Sequence, residues 1–315
     1  KHKPMEVFLG IDTSNYRTSV ALADGEGRVL CNARALLPVE HGALGLRQSD
    51  AVFCHIRQLP ALVEQAFEAA RGHRVCGVGV STQPRRVEGS YMPVFLAGKT
   101  VAQSIACALD VPLHTFSHQQ GHLRAAEINC PMPEEYLGVH LSGGTTEILR
   151  VQTEKYSADI LGGTEDIAAG QWVDRAGVAM ELHFPAGPEM EALAQQTQTA
   201  HLFTVAIKGT KLYFSGAETQ TKRAITEGVP RCEIARGVFI SLGRALAKAV
   251  LAVYEQTGLL DVLIAGGVSA NELVKQQLRL VCTKKAPALR LHFADPQYAG
   301  DNAAGIALLA KEAGC

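Results

Sequence analysis

The sequence predicts an α/β protein built from two lobes with a cleft between them. Its 315 residues are 47% hydrophobic and 19% charged, which is ordinary for a globular chain long enough to bury two cores. Strand and helix patterns alternate along the chain. The opening pattern at residues 7–12 restarts at residues 136–141, and each start is followed by a polar or Gly-rich turn and two more strands. Such an internal duplication is most economically folded as two α/β lobes.

Each element of the first half follows from its hydrophobic period. Short apolar runs predict strands, and apolar residues at helical spacing predict helices. Strands are predicted at residues 7–12, 18–23, 29–35, 75–80 and 113–116, and helices at 49–70, 97–109 and from His118. Pro131 and Pro133 break both kinds of element, so they predict a boundary between lobes 1–132 and 133–315. The closing helix, 300–315, can pack back on the first lobe.

The second half repeats the alternation. Strands are predicted at residues 136–141, 147–152, 156–161, 262–265 and 289–292, and helices at 167–181, 217–227, 232–256, 270–282 and 302–312.

Composition excludes several classes of protein. The formal net charge of −1 lacks the basic excess of a chain that binds nucleic acid unaided. The eight cysteines include no Cys-x-x-Cys pair, which argues against a zinc ribbon or a disulfide scaffold and favours reduced thiols. Residues 1–6 are polar and no apolar run is expected to span a bilayer. We therefore expect a cytoplasmic protein with no membrane partner.

His118 and His122 are spaced for one face of a helix, where two imidazoles can bind one metal ion. Imidazole suits transition metals such as zinc and iron. Helical zinc proteases also pair two histidines at this spacing, but they need Glu after the first one, and here Gln119 stands there. The pair indicates a metal site that is unsuited to peptide hydrolysis. The alternative is a chance pair on a solvated helix face.

Two Gly-rich turns follow predicted strands. Leu141-Ser142-Gly143-Gly144-Thr145 offers backbone amides that can hold phosphate oxygens, although hairpin turns use the same residues. Gly266 and Gly267 follow an apolar strand and precede a helix, which is where α/β folds place ligands. Asn271 is expected to contact a nucleotide, with helix capping as the alternative.

Three acids and one glycine complete the candidate set. Asp12 ends the first predicted strand and is expected to face the cleft, or to cap a turn. Asp174 lies inside a predicted helix, where it can bind ribose hydroxyls or be an exposed charge. Gly187 follows in a rigid Pro-rich loop that can bring it against a ligand. Asp301 begins the last predicted helix, where it can cap the helix or add a carboxylate to the His pair.

Taken together, these segments resemble the TsaD family, formerly Gcp or glycoprotease, over nearly the whole chain. The family's motifs HxEGH, SGGHT, GEAFDK, YPGGP, FSFSG, GGVAAN and DNAA are matched in order by residues 118–122, 142–146, 170–175, 184–188, 213–216, 266–271 and 301–304, and its opening strand by 10–14.

The resemblance implies a duplicated actin/hexokinase/Hsp70-like fold. It implies one divalent transition metal, iron or zinc, on His118, His122 and Asp301, and an adenine nucleotide (threonylcarbamoyl-AMP, or ATP or ADP) at the Gly-rich turns, Asp174, Gly187 and Asn271. It implies transfer of the threonylcarbamoyl group to the exocyclic amine of the adenosine beside the tRNA anticodon. His118, His122 and Asp12 are the expected catalytic residues. TsaB-like and TsaE-like proteins are the expected partners, in a homo- or heterodimer.

The chain departs from these motifs at several positions. Gln119 and Gln120 stand where HxEGH has Glu, Thr145 replaces the His of SGGHT, and Gln171 and Arg175 replace the Glu and Lys of GEAFDK. His140 occupies the place of a Tyr metal ligand in archaeal and eukaryotic relatives, so it is a candidate fourth ligand. The departures indicate a divergent bacterial paralogue. They leave open a transferase with another acceptor, or a nucleotide-binding scaffold without turnover.

Overall fold

The contacts within the chain divide it into two compact units. A computed structural model describes residues 4–14, 17–38, 46–85, 89, 92–154 and 156–314. Of the described residues, unit 1 contains those within 4–38, 46–128 and 300–314, and unit 2 contains those within 129–299. The closing segment therefore belongs to unit 1.

Unit 1 is built on a five-stranded sheet. Its strands are β1 (Glu6–Ser14), β2 (Arg17–Asp24), β3 (Val29–Leu36), β4 (Arg74–Gln83) and β5 (Leu113–Ser117). They lie in the order β3-β2-β1-β4-β5, with β2 antiparallel to both of its neighbours, β1 and β3, and with β4 and β5 parallel to β1. Their buried aliphatic side chains pack against two helices to form the core of the unit.

Four helices accompany this sheet: α1 (Gln48–Ala69), α2 (Phe95–Leu109), α3 (His118–Ala126) and the last helix of the chain, α10 (Ala304–Ala313). Leu59 and Leu62 of α1 are buried in the core with Ile11 and Val80 of the sheet. The helix α10 packs against β1, β2 and β4 and against α3. These contacts place the start of α10 beside α3.

Unit 2 is built on a seven-stranded sheet. Its strands are β6 (Glu135–Leu141), β7 (Thr146–Gln152), β8 (Ser157–Thr164), β9 (Ala206–Lys208), β10 (Lys211–Tyr213), β11 (Asp261–Ala265) and β12 (Arg290–Phe293). They lie in the order β12-β11-β6-β7-β8-β10-β9. Its helices are α4 (Ala169–Ala179), α5 (Gly187–Ala194), α6 (Ser215–Thr226), α7 (Arg231–Thr257), α8 (Glu272–Lys285) and the short α9 (Pro296–Ala299), with a 3-10 turn at Gly267–Ala270.

The internal duplication predicted from the sequence is present in the topology of the two sheets. In unit 2, β6 pairs antiparallel with β7, β7 pairs antiparallel with β8, and β11 and β12 run parallel to β6. This is the arrangement of β1, β2, β3, β4 and β5, with β9 and β10 added at one edge.

The helix α7 is the central core helix of unit 2. By length and composition alone it could cross a membrane, which corrects the expectation that no apolar run is long enough. However, 72% of its most apolar window is buried inside the structure. Because its side chains, such as Val238 and Leu246, belong to the core cluster of the unit, its apolar character is explained by packing.

Other sequence predictions need correction. The segment 184–188 is only partly a loop, because Gly187 begins α5, with Pro188 in its first turn. The strands β9 and β10 were not predicted. β1 continues past Asp12 to Ser14, and α10 begins at Ala304, so Asp301 precedes the helix by part of a turn. None of the described cysteines, which are all except Cys315, forms a disulfide.

Candidate functional site

The histidine pair lies at the junction of β5 and α3, where strand passes directly into helix. Ser117 ends the strand and caps the helix, and its hydroxyl accepts a hydrogen bond from the amide of Gln120 at 3.2 Å. The side chain of Gln120 returns the bond by accepting from the amide of Ser117 at 2.9 Å. This capping box fixes the first turn of α3, which carries His118 and His122.

The two imidazoles are buried. His118 is 8% exposed and His122 is 5% exposed, which excludes the alternative of a chance pair on a solvated helix face. Their ring centroids are 4.3 Å apart. The pair therefore belongs to the interior of unit 1, where a polar side chain needs a partner.

Asp301, far away in sequence, supplies that partner. Its Oδ1 lies 2.8 Å from Nε2 of His122 and 3.6 Å from Nε2 of His118. One ligand atom from each of the three residues lies within 4.8 Å of the other two. The structure thus brings together the three residues that the resemblance implied as ligands.

A close approach of α3 and α10 makes this meeting possible. A Cβ on Gly305 would lie 1.9 Å from the carbonyl oxygen of Gly121, so only glycine allows the two backbones to come this near. Gly121 immediately precedes His122, and Gly305 follows Asp301 by about one helical turn. The contact therefore sets the separation of the two ligand-bearing segments.

The charges of the site are strongly coupled. Burial alone would lower the pKa of His118, but the carboxylates of Asp12 and Asp301 outweigh it and raise that pKa to about 10. Burial likewise opposes ionisation of Asp301, yet its close contacts with His118 and His122 hold its pKa well below the ordinary value. The site is therefore a strong attractor for a proton or another cation.

The donor set fits a transition metal ion. Two imidazoles and a carboxylate are common ligands of zinc and iron. Nε2 of His118 is buried without a hydrogen-bond partner within the described structure, although it faces the carboxylate of Asp301. A cation between these two groups would satisfy both.

Asp12 is wholly buried behind His118. Its Oδ1 accepts hydrogen bonds from Nδ1 of His118 at 2.9 Å and from the hydroxyl of Ser81, and its Oδ2 accepts from the hydroxyl of Ser14 at 2.6 Å. The sequence did not indicate Ser14 or Ser81. Ser81 could have been found from one signal: it is a polar residue directly after the apolar run Val78-Gly79-Val80.

A second group of predicted residues lies in unit 2. The turn between β6 and β7 is closed by a bond from the amide of Ser142 to the carbonyl of Thr145, at 2.8 Å. Gly170 of α4 packs on this turn, where a Cβ would lie 2.6 Å from the carbonyl oxygen of Ser142. Gly266, at φ 101°, packs on Leu141 in the same way. The Gly-rich segments after β6 and β11 therefore meet.

Asp174 lies beside this turn, on α4. A Cβ on Gly143 would lie 3.9 Å from its Oδ2, and its Oδ1 accepts a bond from the amide of Ala186 at 2.8 Å. Burial raises the pKa of Asp174 to about 6, partly offset by that bond. Ala186 precedes Gly187, so Asp174 and Gly187 are neighbours as well.

Backbone at three of these glycines is open to a ligand. Apart from chain neighbours and their own helix, no atom of the described residues lies within 4 Å of a Cβ built on Gly144, Gly187 or Gly267. Such open backbone in a Gly-rich neighbourhood suits the approach of phosphate oxygens.

Asn271 caps α8, and its Oδ1 accepts from the amide of Val274 at 3.1 Å. Capping, the alternative in the sequence analysis, is therefore present. The other end of the same amide is not used: Nδ2 is buried without a hydrogen-bond partner in the described structure. Capping thus leaves two N–H donors for a ligand.

His140 lies on β6, where it is 8% exposed and in register with Glu147 of β7 and Ala265 of β11. It belongs to unit 2, whereas His118, His122 and Asp301 belong to unit 1. Its role as a fourth ligand stays a prediction.

The departures from the family motifs have local explanations. Gln120 is the third residue of α3 and accepts from the amide of Ser117, and Gln171 likewise accepts from the amide of Ala168 at 2.9 Å at the start of α4. At this position of a helix Glu and Gln serve equally. Arg175 pairs with the buried carboxylate of Glu218 at 3.0 Å, which joins α4 to α6. These changes therefore preserve helix geometry.

Comparison with known proteins gives the family of the chain. The family described as "TsaD: tRNA N6-adenosine threonylcarbamoyltransferase" matches residues 46–308. A tRNA N6-adenosine threonylcarbamoyltransferase of Thermus thermophilus is 34% identical over 308 residues, which cover 96% of this chain and 91% of that protein.

Solved structures agree with the fold. Component A of (R)-2-hydroxyglutaryl-CoA dehydratase from Acidaminococcus fermentans has a TM-score of 0.59 at 14% identity, with 98% of each chain covered. A ROK family glucokinase from Streptomyces griseus has a TM-score of 0.57 at 15% identity, covering 97% of this chain and 99% of that one. The fold is the actin/hexokinase/Hsp70-like fold that was predicted, and the chain belongs to the TsaD family of tRNA N6-adenosine threonylcarbamoyltransferases.

Proposed function

We propose that this protein transfers the threonylcarbamoyl group from threonylcarbamoyl-AMP to the exocyclic amine of the adenosine beside the anticodon in tRNA, with a bound divalent metal. The observation that carries the proposal is the buried group of His118, His122 and Asp301 in a chain of the TsaD family. Membership of the family supports the reaction class, and the donor set supports the metal.

The metal site would be formed by unit 1 alone. His118 and His122 would offer Nε2, and Asp301 its Oδ1, to iron or zinc. When bound, such an ion supplies a Lewis acid that polarises the carbamoyl carbonyl. The contact between Asp301 and His122, together with the burial of both imidazoles, would fix the three donors in place even without the ion.

The adenylate would bind to unit 2. The amides of the Ser142–Thr145 turn and of Gly267 would hold the phosphate, because successive backbone N–H groups form anion sites. Asp174 would accept from ribose hydroxyls, and Nδ2 of Asn271 would donate to the nucleotide. Holding the phosphate stabilises the negative charge that develops on the leaving group.

The reaction balances without another reactant. The N6 amine attacks the carbamoyl carbon, a C–N bond forms, and the bond between that carbon and the phosphate oxygen breaks. AMP leaves with the electron pair, and N6 gives up one proton. Gln119 cannot serve as the base of a peptidase, as the sequence already indicated. Gln120 and Gln171 satisfy their helices, so these two changes do not by themselves favour the scaffold alternative.

We propose tRNA, TsaB-like and TsaE-like proteins as partners in a cytoplasmic assembly, a homo- or heterodimer, with no membrane contact. The near-neutral charge of the chain supports this, because tRNA affinity depends mainly on phosphate contacts that a basic partner can supply.

The test is reconstitution with threonine, bicarbonate, ATP, a threonylcarbamoyl-adenylate synthase, the partner proteins and unmodified tRNA. We expect the modified nucleoside in digested tRNA, and stoichiometric metal in protein purified without chelator. His118→Ala should lose both. His73→Ala, which changes a histidine of unit 1 that bonds to the backbone of Met5, should lose neither.

Two results would overturn the proposal. Metal content that is equal in the wild type and in His118→Ala would remove the metal site. Absence of the modified nucleoside with all components present would remove tRNA as acceptor, and release of AMP with another amine acceptor would redirect the activity.

A further inference from the structure

We infer that Asp12 is a positioning residue: it fixes the His118 ring so that Nε2, and not Nδ1, is presented to the metal. This inference rests on the proposed function and deepens it. Asp12 was expected to be catalytic, but only 1% of its side chain is exposed, which leaves no room for direct contact with a substrate. Any part it takes in the reaction must pass through a neighbour.

The neighbours of Asp12 make its carboxylate an acceptor only. The hydroxyls of Ser14 and Ser81 each donate their single proton to it, one to each oxygen. Because both protons point at the carboxylate, the third contact, with Nδ1 of His118 at 2.9 Å, must be an N–H donating to Oδ1. The hydrogen-bond network therefore assigns a proton to Nδ1, which cannot then bind a metal.

The other ring nitrogen faces the remaining ligands. Nε2 of His118 lies 3.6 Å from Oδ1 of Asp301, beyond hydrogen-bond distance, and has no hydrogen-bond partner among the described residues. The same oxygen of Asp301 lies 2.8 Å from Nε2 of His122. With Nδ1 held from behind, Nε2 is directed at the point where the three donors converge.

A purely local role for Asp12 does not explain these contacts. It does not cap a turn, because β1 continues to Ser14 with Asp12 paired to Ser19 of β2. A buried carboxylate is costly unless every lone pair is used, and here the hydrogen bonds come from two serines and one histidine on three separate segments. A carboxylate behind a ligating imidazole fixes the ring and makes it a better donor.

The test measures Zn²⁺ affinity by competition with a chromogenic chelator, in the wild type, Asp12→Ala and Asp12→Asn. Loss of such an outer carboxylate typically weakens metal binding about 10- to 100-fold. We expect that range for Asp12→Ala, and a smaller loss for Asp12→Asn, whose amide oxygen can still accept from His118. The matched control is Asp24→Asn, a buried carboxylate of the same sheet that bonds the amides of Glu26 and Arg28 instead. It should bind Zn²⁺ as the wild type does.

A spectroscopic measurement separates positioning from a merely structural role. In Zn²⁺-loaded protein labelled with ¹⁵N at histidine, the wild type should show His118 protonated and exchange-protected at Nδ1, with Nε2 bound to the metal. Asp12→Ala should lose that protected proton. If Asp12→Ala does not fold, Asp12→Asn and Ser81→Ala serve as the test variants. We expect Ser81→Ala to lower the Zn²⁺ affinity by a few fold.

The outcomes distinguish this inference from the proposed function. If the wild type binds no Zn²⁺, the metal site itself fails. The positioning role of Asp12 is overturned, while the metal site stands, if Asp12→Asn and Asp12→Ala both bind Zn²⁺ as tightly as the wild type and Asp24→Asn do. It is also overturned if His118 binds Zn²⁺ through Nδ1.

Discussion

At the scale of one residue, the proposed role of Asp174 in binding ribose conflicts with the stability of the folded protein. It lies partly buried beside Gly143, with one backbone hydrogen bond, and burial raises the pKa of its carboxyl to about 6. A carboxyl with a raised pKa destabilises the folded protein once it ionises. A polar residue inside a predicted helix was visible in the sequence, but its partial burial was not, because that depends on the distant turn after β6.

The first prediction concerns this residue. Asp174→Asn should raise the free energy of unfolding at pH 8 by up to about 3 kcal/mol, because the amide keeps the acceptor for Ala186 and has no charge to bury. The folded pKa of Asp174 lies above the unfolded value of 3.8. The stability that the protonated carboxyl allows is therefore fully present below about pH 4, and this contribution is lost as the pH rises through about 6. Denaturant unfolding of both proteins at several pH values measures this. A difference between them that stayed constant from pH 3 to pH 8 would contradict the assignment.

At the scale of elements, the geometry of the candidate metal site depends on how α3 and α10 cross. The helices meet at Gly121 and Gly305, and His122 and Asp301 lie next to that crossing. The sequence predicted both helices, and the family resemblance implied the three candidate ligands. It could not predict the crossing, because a close contact of two backbones leaves no periodic signal and glycine has many other uses.

The second prediction tests the crossing. Gly305→Ala places a methyl group against the backbone of Gly121, so we expect it to separate α3 from α10 and to lower Zn²⁺ affinity at least tenfold. Gly216→Ala is the matched control, since Gly216 is likewise the second residue of a helix, α6, but has open space around it. It should leave the affinity unchanged and stabilise the protein by up to about 1 kcal/mol. Equal Zn²⁺ affinities for the two variants would show that the crossing does not set the site.

Other elements show why sequence patterns were incomplete. Pro188 and Glu189 form a helix-start signal, because proline and an acid are favoured in the first turn of a helix. The same Pro188, together with Pro185, was interpreted as part of a rigid loop. β9 and β10 have three residues each, too short for a period to be recognised. The long elements, whose period spans several turns, were predicted to within a few residues.

At the scale of the whole molecule, the two candidate sites are divided between the two units. The residues of the metal group all belong to unit 1, and the Gly-rich turns, Asp174 and Asn271 all belong to unit 2. The sequence predicted a duplication because each half begins with the same strand pattern. The sequence analysis also allowed the closing helix to pack on the first lobe, and the contacts of α10 place it in unit 1. The contacts themselves could not be predicted, since a pattern of periods does not show which distant segments meet.

The third prediction follows from this division. Zn²⁺ at about 100 times its Kd should stabilise the folded protein by about 2.7 kcal/mol. In hydrogen exchange, its protection should be concentrated in α3 and α10, whereas AMP should protect residues 141–145 and the start of α4. Zn²⁺ protection centred on the Gly-rich turns would place the metal in unit 2 and contradict the ligand set.

The two ionised carboxylates around His118 have a consequence for the oxidation state of the ion. Asp12 and Asp301 both have lowered pKa values, and both lie against the same imidazole. With neutral histidines, their two negative charges are balanced by a divalent cation. A trivalent ion would leave one positive charge uncompensated in a buried place, which is costly. The charge of the site is therefore matched to a divalent ion, and a trivalent ion would need one further anion beside it.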